Sequence, residues 1–187
     1  MIKRIVITGG PGAGKTTLIN MLEELGFLVS HEVSRKLIKQ EAKKKDGVLP
    51  WKNLPLFAEK ACLAMKKEWS YPVEATPYGN ITPLKPLFVF YDRGLPDIEA
   101  YLLNAKEIVS NSIDKVISAC RYQKKVFWCA PWEDIYVQDP ERPQDFQLAK
   151  DLGITIKQVY EYYDYQVIEV PKDTPSQRVD FILGNLE

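Results

Sequence analysis

A glycine-rich loop between a strand-like run and a helix-like run is the feature that most constrains the fold of this chain. Residues 2–8, IKRIVIT, are apolar enough to form a strand that is buried on both faces. After the loop, residues 18–25 carry leucine and isoleucine at helical spacing, and Gly26 is placed to end that helix. A buried strand, a glycine turn and a helix in this order indicate the first unit of a parallel α/β sheet.

The loop itself has the spacing of a phosphate-binding loop: Gly9, four residues, then Gly14, Lys15 and Thr16. Glycines let backbone N–H groups converge on a phosphate, and the following helix directs its positive N-terminal end at the same anion. The pattern predicts that Lys15 reaches the β- and γ-phosphates of ATP and that the Thr16 hydroxyl coordinates Mg²⁺. A glycine turn that merely packs is the alternative, but the flanking strand and helix favour nucleotide binding. The expected nucleotide contacts come from Gly9, Pro11, Gly12, Ala13, Gly14, Lys15, Thr16 and Thr17.

Strand-like and helix-like runs alternate along the rest of the chain. The predicted strands cover residues 2–8, 27–30, 87–92, 125–130 and 166–171. We expect helices over residues 32–44 and 174–186, and two separate helices over residues 143–150 and 155–165. Thr174 is the expected N-cap of the last helix. This alternation predicts a three-layer α/β fold with a five-stranded, mainly parallel sheet that helices cover on both faces.

Composition narrows the class of protein further. A chain of 187 residues fits one domain, which we expect to span residues 1–187. The 25 basic and 25 acidic residues balance, so nothing draws the chain generally to nucleic acid or to an acidic membrane, and we expect neither partner. Three cysteines without metal-type spacing and a single histidine argue against a disulfide framework or a multi-histidine metal site. With no signal-type or membrane-spanning apolar run, a cytoplasmic protein is expected.

Nucleotide binding does not by itself name a reaction. A GTPase should carry an Asn/Thr-Lys-x-Asp motif and an Asp-x-x-Gly switch, and the sequence has neither. A mechanical AAA+ ATPase should place Glu after the Asp that ends its acidic strand, but here Arg93 follows Asp92. Asp92 can hold the magnesium shell or take a proton from an acceptor hydroxyl, and Arg93 can clamp a phosphate or a carboxylate. This pair favours a small-molecule kinase, and a buried structural ion pair is the alternative.

A second acidic residue, Glu32, follows the short strand over residues 27–30 in the stretch SHEVSR. In nucleoside kinases this location places an acidic base near the acceptor hydroxyl. Arg35 lies one turn further along the same helix face, where it can reach the substrate. The alternative is equally open: Glu32 as a helix-start acid and Arg35 as a solvated base.

Residues 131–151 are predicted to contain a small mobile lid. They follow a buried strand and are dense in charge, and Arg142 is the candidate lid arginine that neutralises charge in the transition state. Trp132 is a candidate wall of the acceptor pocket. In the connection before the last helix, Arg178 is a candidate contact behind the base of the nucleotide. The alternatives are a solvated loop, a packing tryptophan and a helix-face charge.

Several stretches together resemble one family of compact P-loop proteins. They are GGPGAGKTTLI, HEVSR, YDRGLPDIEAY, FWCAPWEDIYVQDPERPQDF, IEVP and RVDFIL. The family is the AAA-type P-loop ATPase/kinase family that includes the ribosylnicotinamide kinase half of the bacterial nicotinamide-nucleotide regulator. The resemblance implies a kinase-like core with ATP and Mg²⁺ at the loop, with Gly14, Lys15 and Thr16 as nucleotide ligands and Asp92 as the acidic residue at the strand end. It implies no particular acceptor.

The sequence is therefore interpreted as an ATP- and magnesium-dependent kinase for a nucleoside-, nucleotide- or riboside-like acceptor. Its predicted catalytic residues are Lys15, Asp92, Glu32 and Arg142. Thr16 and Asp92 are the expected magnesium ligands. The predicted substrate contacts are Arg35, Arg93 and Trp132. The competing interpretation is a nucleotide-dependent regulatory switch, which would keep the phosphate loop and need no acceptor pocket.

Overall fold

A parallel five-stranded sheet forms the centre of the molecule. The computed structural model describes residues 2–70, 87–137 and 145–186. The strands are β1 (Ile2–Gly9), β2 (Leu28–Ser30), β3 (Leu87–Asp92), β4 (Lys125–Cys129) and β5 (Gln166–Val170). Their order in the sheet is β2-β3-β1-β4-β5, and each neighbouring pair is parallel. The central position of β1 places the loop that follows it beside the carboxyl ends of β3 and β4.

Helices cover both faces of this sheet. They are α1 (Lys15–Glu24), α2 (Val33–Glu41), α3 (Leu54–Ser70), α4 (Leu95–Asn104), α5 (Asn111–Ala119), α6 (Phe146–Tyr162) and α7 (Pro175–Gly184). One face buries Ile7 and Phe90 with α1 and α7, and the other buries Val6 and Tyr91 with α3 to α6. Successive strand residues thus enter opposite layers, as a sheet buried on both sides requires. The predicted three-layer α/β fold with five parallel strands is confirmed.

Two predicted helix boundaries are confirmed at the level of their capping residues. Gly26 has φ +87°, and the N–H groups of Gly26 and Phe27 donate to the carbonyls of Glu23 and Leu22 at 2.9 and 3.0 Å, so α1 ends in a Schellman motif. Thr174 caps α7, because its side chain accepts from a backbone N–H in the first turn.

The prediction of two helices over residues 143–150 and 155–165 is wrong. A single helix, α6, runs through this region and includes Gly153. Glycine lowers helix propensity, but here the helix passes so close to the phosphate loop that a side chain would not fit easily: a Cβ on Gly153 would lie 3.1 Å from Cγ of Pro131 and 3.4 Å from the backbone nitrogen of Gly10. The glycine serves this contact and does not end the helix.

The helix predicted over residues 32–44 ends earlier, at Glu41. The Glu41 carboxylate is buried and accepts hydrogen bonds from Lys44, Lys60 and the backbone N–H of Val48. These bonds, led by that from Lys44, lower the pKa of Glu41 to about 2. Because these hydrogen bonds turn the chain back toward α3, α2 ends at Glu41, before the end that the sequence pattern predicts.

Two sequence predictions lie outside the described part of the chain. They are the middle of the lid, residues 138–144 with Arg142, and the proline-rich connection over residues 71–86. Within the described ranges, no helix combines the length and the apolar character needed to cross a membrane.

The close contact between α6 and the phosphate loop can be tested at Gly10. A Cβ on Gly10 would lie 2.4 Å from the backbone oxygen of Ala149, so we expect Gly10→Ala to lower the free energy of unfolding by about 1–3 kcal/mol. Urea denaturation measures the change. Gly184→Ala is the control, because a Cβ there meets nothing within 4 Å, and it should leave stability unchanged or raise it. Equal stability of Gly10→Ala and the unsubstituted protein would contradict the contact.

Candidate active site

The loop between β1 and α1 turns sharply at its glycines. Gly14 has φ +79° at the N-cap of α1, a conformation that glycine adopts without steric cost. Gly14 has no side chain that could cap this helix start, so the first amide N–H groups of α1 remain available to an anion. The Tyr136 ring packs on the outer side of the loop, where a Cβ on Gly12 would come within 2.4 Å of its Cδ2.

Lys15 folds back onto the loop. Its buried Nζ donates to the carbonyl oxygen of Gly10 at 2.6 Å. Burial, followed by repulsion from Arg93, lowers the pKa of Lys15 from 10.5 to about 8, while Asp92 and Glu32 act in the opposite direction. The ammonium group of Lys15 therefore loses its proton at a pH not far above neutral. Its hydrogen-bond partner is a neutral carbonyl, and an anion in the same place would bind the ammonium group more strongly.

Thr16 and Asp92 lie side by side between the start of α1 and the end of β3. The Thr16 hydroxyl donates to Oδ2 of Asp92 at 3.2 Å. Oδ1 of Asp92 is buried without a hydrogen-bond partner among the described residues, and burial raises the pKa of this carboxyl. An unsatisfied buried carboxylate oxygen calls for a cation.

These two residues fit a magnesium ion. Mg²⁺ in nucleotide sites takes one or two protein oxygens and completes its shell with water and substrate phosphates. Thr16 and Asp92 supply a hydroxyl and a carboxylate of that kind. No larger cluster of histidine, cysteine, aspartate or glutamate that could enclose a metal occurs in the ranges that the structure describes.

Arg93 follows Asp92 in a left-handed backbone conformation, with φ +76°, and its side chain is 3% exposed. Its Nη1 donates to the carbonyl oxygen of Gly9 and to Oδ1 of Asp97, both at 3.1 Å. Its Nε lies 3.4 Å from Oε1 of Glu32. The guanidinium thus joins the first residue of the phosphate loop to the start of α2.

A cavity of about 530 Å³ opens between α2, α3 and α4. Its polar lining includes Glu32, Arg35, Arg93 and Asp97, and the Nε of Arg35 lies 3.8 Å from Oε2 of Glu32. Its walls are mostly apolar or aromatic and include Ile38, Trp51, Leu54, Phe57, Met65, Ile98 and Tyr101. Such a cavity suits a small organic molecule that carries a few polar groups. Glu32 and Arg93 belong both to this cavity and to the charged cluster beside the loop.

The other residues predicted to contact the nucleotide or the acceptor lie in or near the phosphate loop. Pro11 and Ala13 are buried in the loop, and Thr17 is exposed at the start of α1. Arg178 is a buried side chain that donates to the carbonyl oxygen of Ala13 at 3.2 Å, so it is not a solvated helix-face charge. The Trp132 ring lies 5.7 Å from the Arg178 guanidinium, and Trp132 is not among the described residues that line the cavity. Trp132 therefore lies near Arg178 at the phosphate loop, and its role in an acceptor pocket stays a prediction.

Sequence reasoning missed Asp97, which is buried at the junction of the loop and the cavity. Its position in the stretch YDRGLPD was an available signal, because a carboxylate only four residues after Arg93 can reach the guanidinium. It also missed Trp51, whose side chain is 64% exposed at the cavity. Nothing in the local pattern around Trp51 points to a site.

A family model described as an AAA domain matches residues 4–178. The chain belongs to this AAA-domain family. A search of the curated proteins returned no match. The family model thereby confirms the predicted AAA-type family, and the likeness to NadR shows a shared fold.

Solved structures share the fold of this AAA-domain chain across almost its whole length. The deoxyadenosine kinase of M. mycoides, with the products dCMP and dCDP, has a TM-score of 0.65 at 14% identity, with 97% of each chain covered. NadR in complex with NR gives 0.67 at 14% identity, covering 100% of this chain and 52% of NadR. Thymidylate kinase of Ehrlichia chaffeensis gives 0.60 at 14% identity, with 99% and 98% covered. These likenesses confirm the predicted nucleoside- and nucleotide-kinase-like fold.

The buried charge of Lys15 should lower the stability of the protein when no ligand is bound. Below pH 8 both the folded and the unfolded chain hold the proton, so the folded state bears the full cost of burial. Between about pH 8 and 10.5 only the unfolded chain retains it, and stability rises with pH. The cost is at most roughly 3 kcal/mol.

We therefore expect Lys15→Met to be more stable than the unsubstituted protein at pH 7, by on the order of 1–3 kcal/mol. Most of this difference in stability should disappear at pH 10, where the folded protein no longer holds the Lys15 proton. Urea denaturation at both pH values measures it. Lys45→Met, which changes an exposed lysine, should give the same small difference at both. A Lys15→Met difference that stays constant with pH would contradict the lowered pKa.

Proposed function

We propose that this protein is a kinase that transfers the γ-phosphoryl group of ATP to a small acceptor held in the cavity between α2, α3 and α4. The observation that carries the proposal is the shared position of Glu32 and Arg93. Both line the cavity, and both belong to the charged cluster that contains Lys15 and Asp92. A phosphate at the loop and a hydroxyl in the cavity would then meet at one cluster. We take residues 1–187 as one catalytic domain.

On the nucleotide side, the loop from Gly9 to Thr17 and the start of α1 would hold the phosphates of ATP. Lys15 would leave the Gly10 carbonyl to pair with the γ-phosphate, an exchange of a neutral partner for an anionic one. Thr16 and Asp92 would hold Mg²⁺, which when bound neutralises charge on the phosphate oxygens. Arg178, which contacts the back of the loop, would support the base side of the nucleotide.

On the acceptor side, Glu32 would be the general base. The acceptor hydroxyl oxygen would bond to the γ-phosphorus while the bond from that phosphorus to the oxygen of ADP breaks, and the hydroxyl proton would pass to the Glu32 carboxylate. Arg93 and Arg35 would contact polar groups of the acceptor or of the moving phosphoryl group. Arg142, in a segment outside the described ranges, is the proposed lid arginine.

The fold of the similar proteins supports a small-molecule phosphotransferase. Deoxyadenosine kinase and thymidylate kinase are kinases by name, and NadR has been solved with NAD and AMP-PNP. We accordingly propose a nucleoside-, nucleotide- or riboside-like acceptor. The mostly apolar walls of the cavity, with Trp51 and Tyr101 among them, suit the planar ring of such a molecule.

The test is a turnover assay with Mg²⁺–ATP against a panel of nucleosides, nucleotides and ribosides, followed by mass spectrometry of the acceptor. We expect one class of panel members to gain a phosphoryl group. ADP release without a phosphorylated product would point to a bare ATPase. Tight binding of ATP without ADP release would favour the competing function, a nucleotide-dependent switch.

The substitution Glu32→Gln tests the role of Glu32 as general base independently of ATP binding. It should leave ATP binding within about twofold and lower phosphoryl transfer by roughly 10²- to 10⁴-fold, because glutamine cannot take the hydroxyl proton. Isothermal calorimetry and the turnover assay give the two numbers. Glu24→Gln, at an exposed position on α1, is the control and should change neither. Transfer that survives in Glu32→Gln would show that another group is the base.

A further inference from the structure

Arg93 is held in a backbone conformation that an arginine rarely adopts. Its φ of +76° lies in the left-handed region, where the Cβ of any residue other than glycine is crowded. Such a conformation persists only where the surroundings over-determine it. The side chain is also nine-tenths or more buried, so its charge needs compensation from fixed partners.

Asp97 is one of these partners, and four hydrogen bonds hold its carboxylate within the described structure. Its Oδ1 accepts from Nη1 of Arg93 at 3.1 Å and from the Thr8 hydroxyl at 2.7 Å. Its Oδ2 accepts from the backbone N–H of Gly94 at 3.0 Å and from the Tyr160 hydroxyl at 2.7 Å. A carboxylate bound in this way by two side-chain hydroxyls and an amide cannot rotate, so it fixes the guanidinium that it contacts.

The four donors come from different parts of the fold. Thr8 lies on β1 directly before the phosphate loop, Arg93 and Gly94 connect β3 to α4, and Tyr160 lies on α6, whose first residues belong to the predicted lid. The carboxylate of Asp97 therefore links three parts of the fold: β1 before the phosphate loop, the connection from β3 to α4 at the cavity, and α6.

This arrangement leaves part of the Arg93 guanidinium for a ligand. Nη1 is occupied by Gly9 and Asp97, whereas Nη2 is buried without a hydrogen-bond partner among the described residues. Arg93 and Asp97 both line the 530 Å³ cavity. A buried, unpartnered cationic N–H in the wall of a cavity is unsatisfied until an acceptor group reaches it.

We propose that Asp97 is a positioning residue that holds Arg93 in its left-handed conformation, so that the free Nη2 binds an oxygen of the acceptor or of the transferred phosphoryl group. Four hydrogen-bond donors already occupy both carboxylate oxygens of Asp97, so Asp97 acts through Arg93. Tyr160 and Thr8 hold Asp97 in turn. The expected effect on turnover rests on the proposed kinase function. The fixing of Arg93 by Asp97 does not depend on that function.

Four substitutions test the proposal in the full chain. Asp97→Asn removes the charge that fixes Arg93, and Tyr160→Phe keeps the charge but removes one donor to it. Tyr163→Phe is the matched control, because the Tyr163 hydroxyl also donates to a carboxylate, that of Glu99 at 2.6 Å, with Asp114 at 3.0 Å. Among the described residues, this hydroxyl forms no hydrogen bond with the network. Arg93→Gln, alone and combined with Asp97→Asn, completes a double-mutant cycle.

The kinetic readout uses whichever panel member the unsubstituted protein phosphorylates. We expect Asp97→Asn to raise KM for that acceptor at least tenfold and Tyr160→Phe about threefold, with KM for ATP within twofold. In the Arg93→Gln background, Asp97→Asn should add less than twofold, because the residue through which it acts is gone. Equal factors in both backgrounds, or a parallel rise of KM for ATP, would reduce Asp97 to a structural role and overturn the proposal.

A second readout needs no turnover. In NMR spectra, the Nη–H resonances of an arginine are resolved when its guanidinium is held and average when it rotates. We expect those of Arg93, assigned by their loss in Arg93→Gln, to be resolved in the unsubstituted protein and in Tyr163→Phe, and to average in Asp97→Asn. Unchanged Arg93 resonances in Asp97→Asn would overturn the positioning role even if the protein folds less well. Absence of product from the whole panel would refute the kinase proposal, and the NMR result would still decide whether Asp97 fixes Arg93.

Discussion

A buried cluster of charges at the carboxyl ends of β1 and β3 is the constraint on which the rest of the structure depends. Lys15, Asp92, Arg93 and Asp97 are all buried, and Glu32 lies against them. Buried charges are costly unless they are paired and hydrogen-bonded. Here the pairing is incomplete, since an oxygen of Asp92 and two nitrogens of Arg93, Nε and Nη2, have no hydrogen-bond partner in the described structure. Bound ligands would therefore supply the hydrogen-bond and charge partners that this cluster lacks.

The topology explains why these charges meet. Because β1 lies between β3 and β4 in a parallel sheet, the loop after β1 has the ends of both neighbouring strands beside it. Ligands of doubly wound sheets gather at this edge. The register pairs Ile7 with Asp92, which brings the strand-end acid to the level of the loop, and α1 then presents Thr16 to it at 3.2 Å. On the other side of the cluster, Glu32 lies at the N-cap of α2 and lines the cavity that α3 and α4 complete.

Local patterns were enough to predict the sheet, the phosphate loop and the positions of Asp92 and Glu32, since each depends on a strand, a turn or a helix start that a short stretch encodes. The features that the sequence did not predict depend on contacts between residues that are far apart in the chain. Two helices were predicted where α6 is continuous, because the contact between Gly153 and Gly10 joins residues that are far apart in sequence. Asp97 was missed because its importance comes from Thr8 and Tyr160, which are 89 and 63 residues away. Only the fold shows that Trp132 lies next to Arg178, because the two residues are far apart in sequence.

Proton uptake on nucleotide binding tests the central claim, that a magnesium–triphosphate completes the buried cluster, most directly. Calorimetric titration of a non-hydrolysable ATP analogue with Mg²⁺, in buffers of different ionisation enthalpy, counts the protons taken up. The γ-phosphate should raise the pKa of Lys15 from about 8 toward its usual value, so uptake should be small at pH 6.5 and approach one proton near pH 9. Absence of binding, or binding with the same proton balance across this range, would contradict the account.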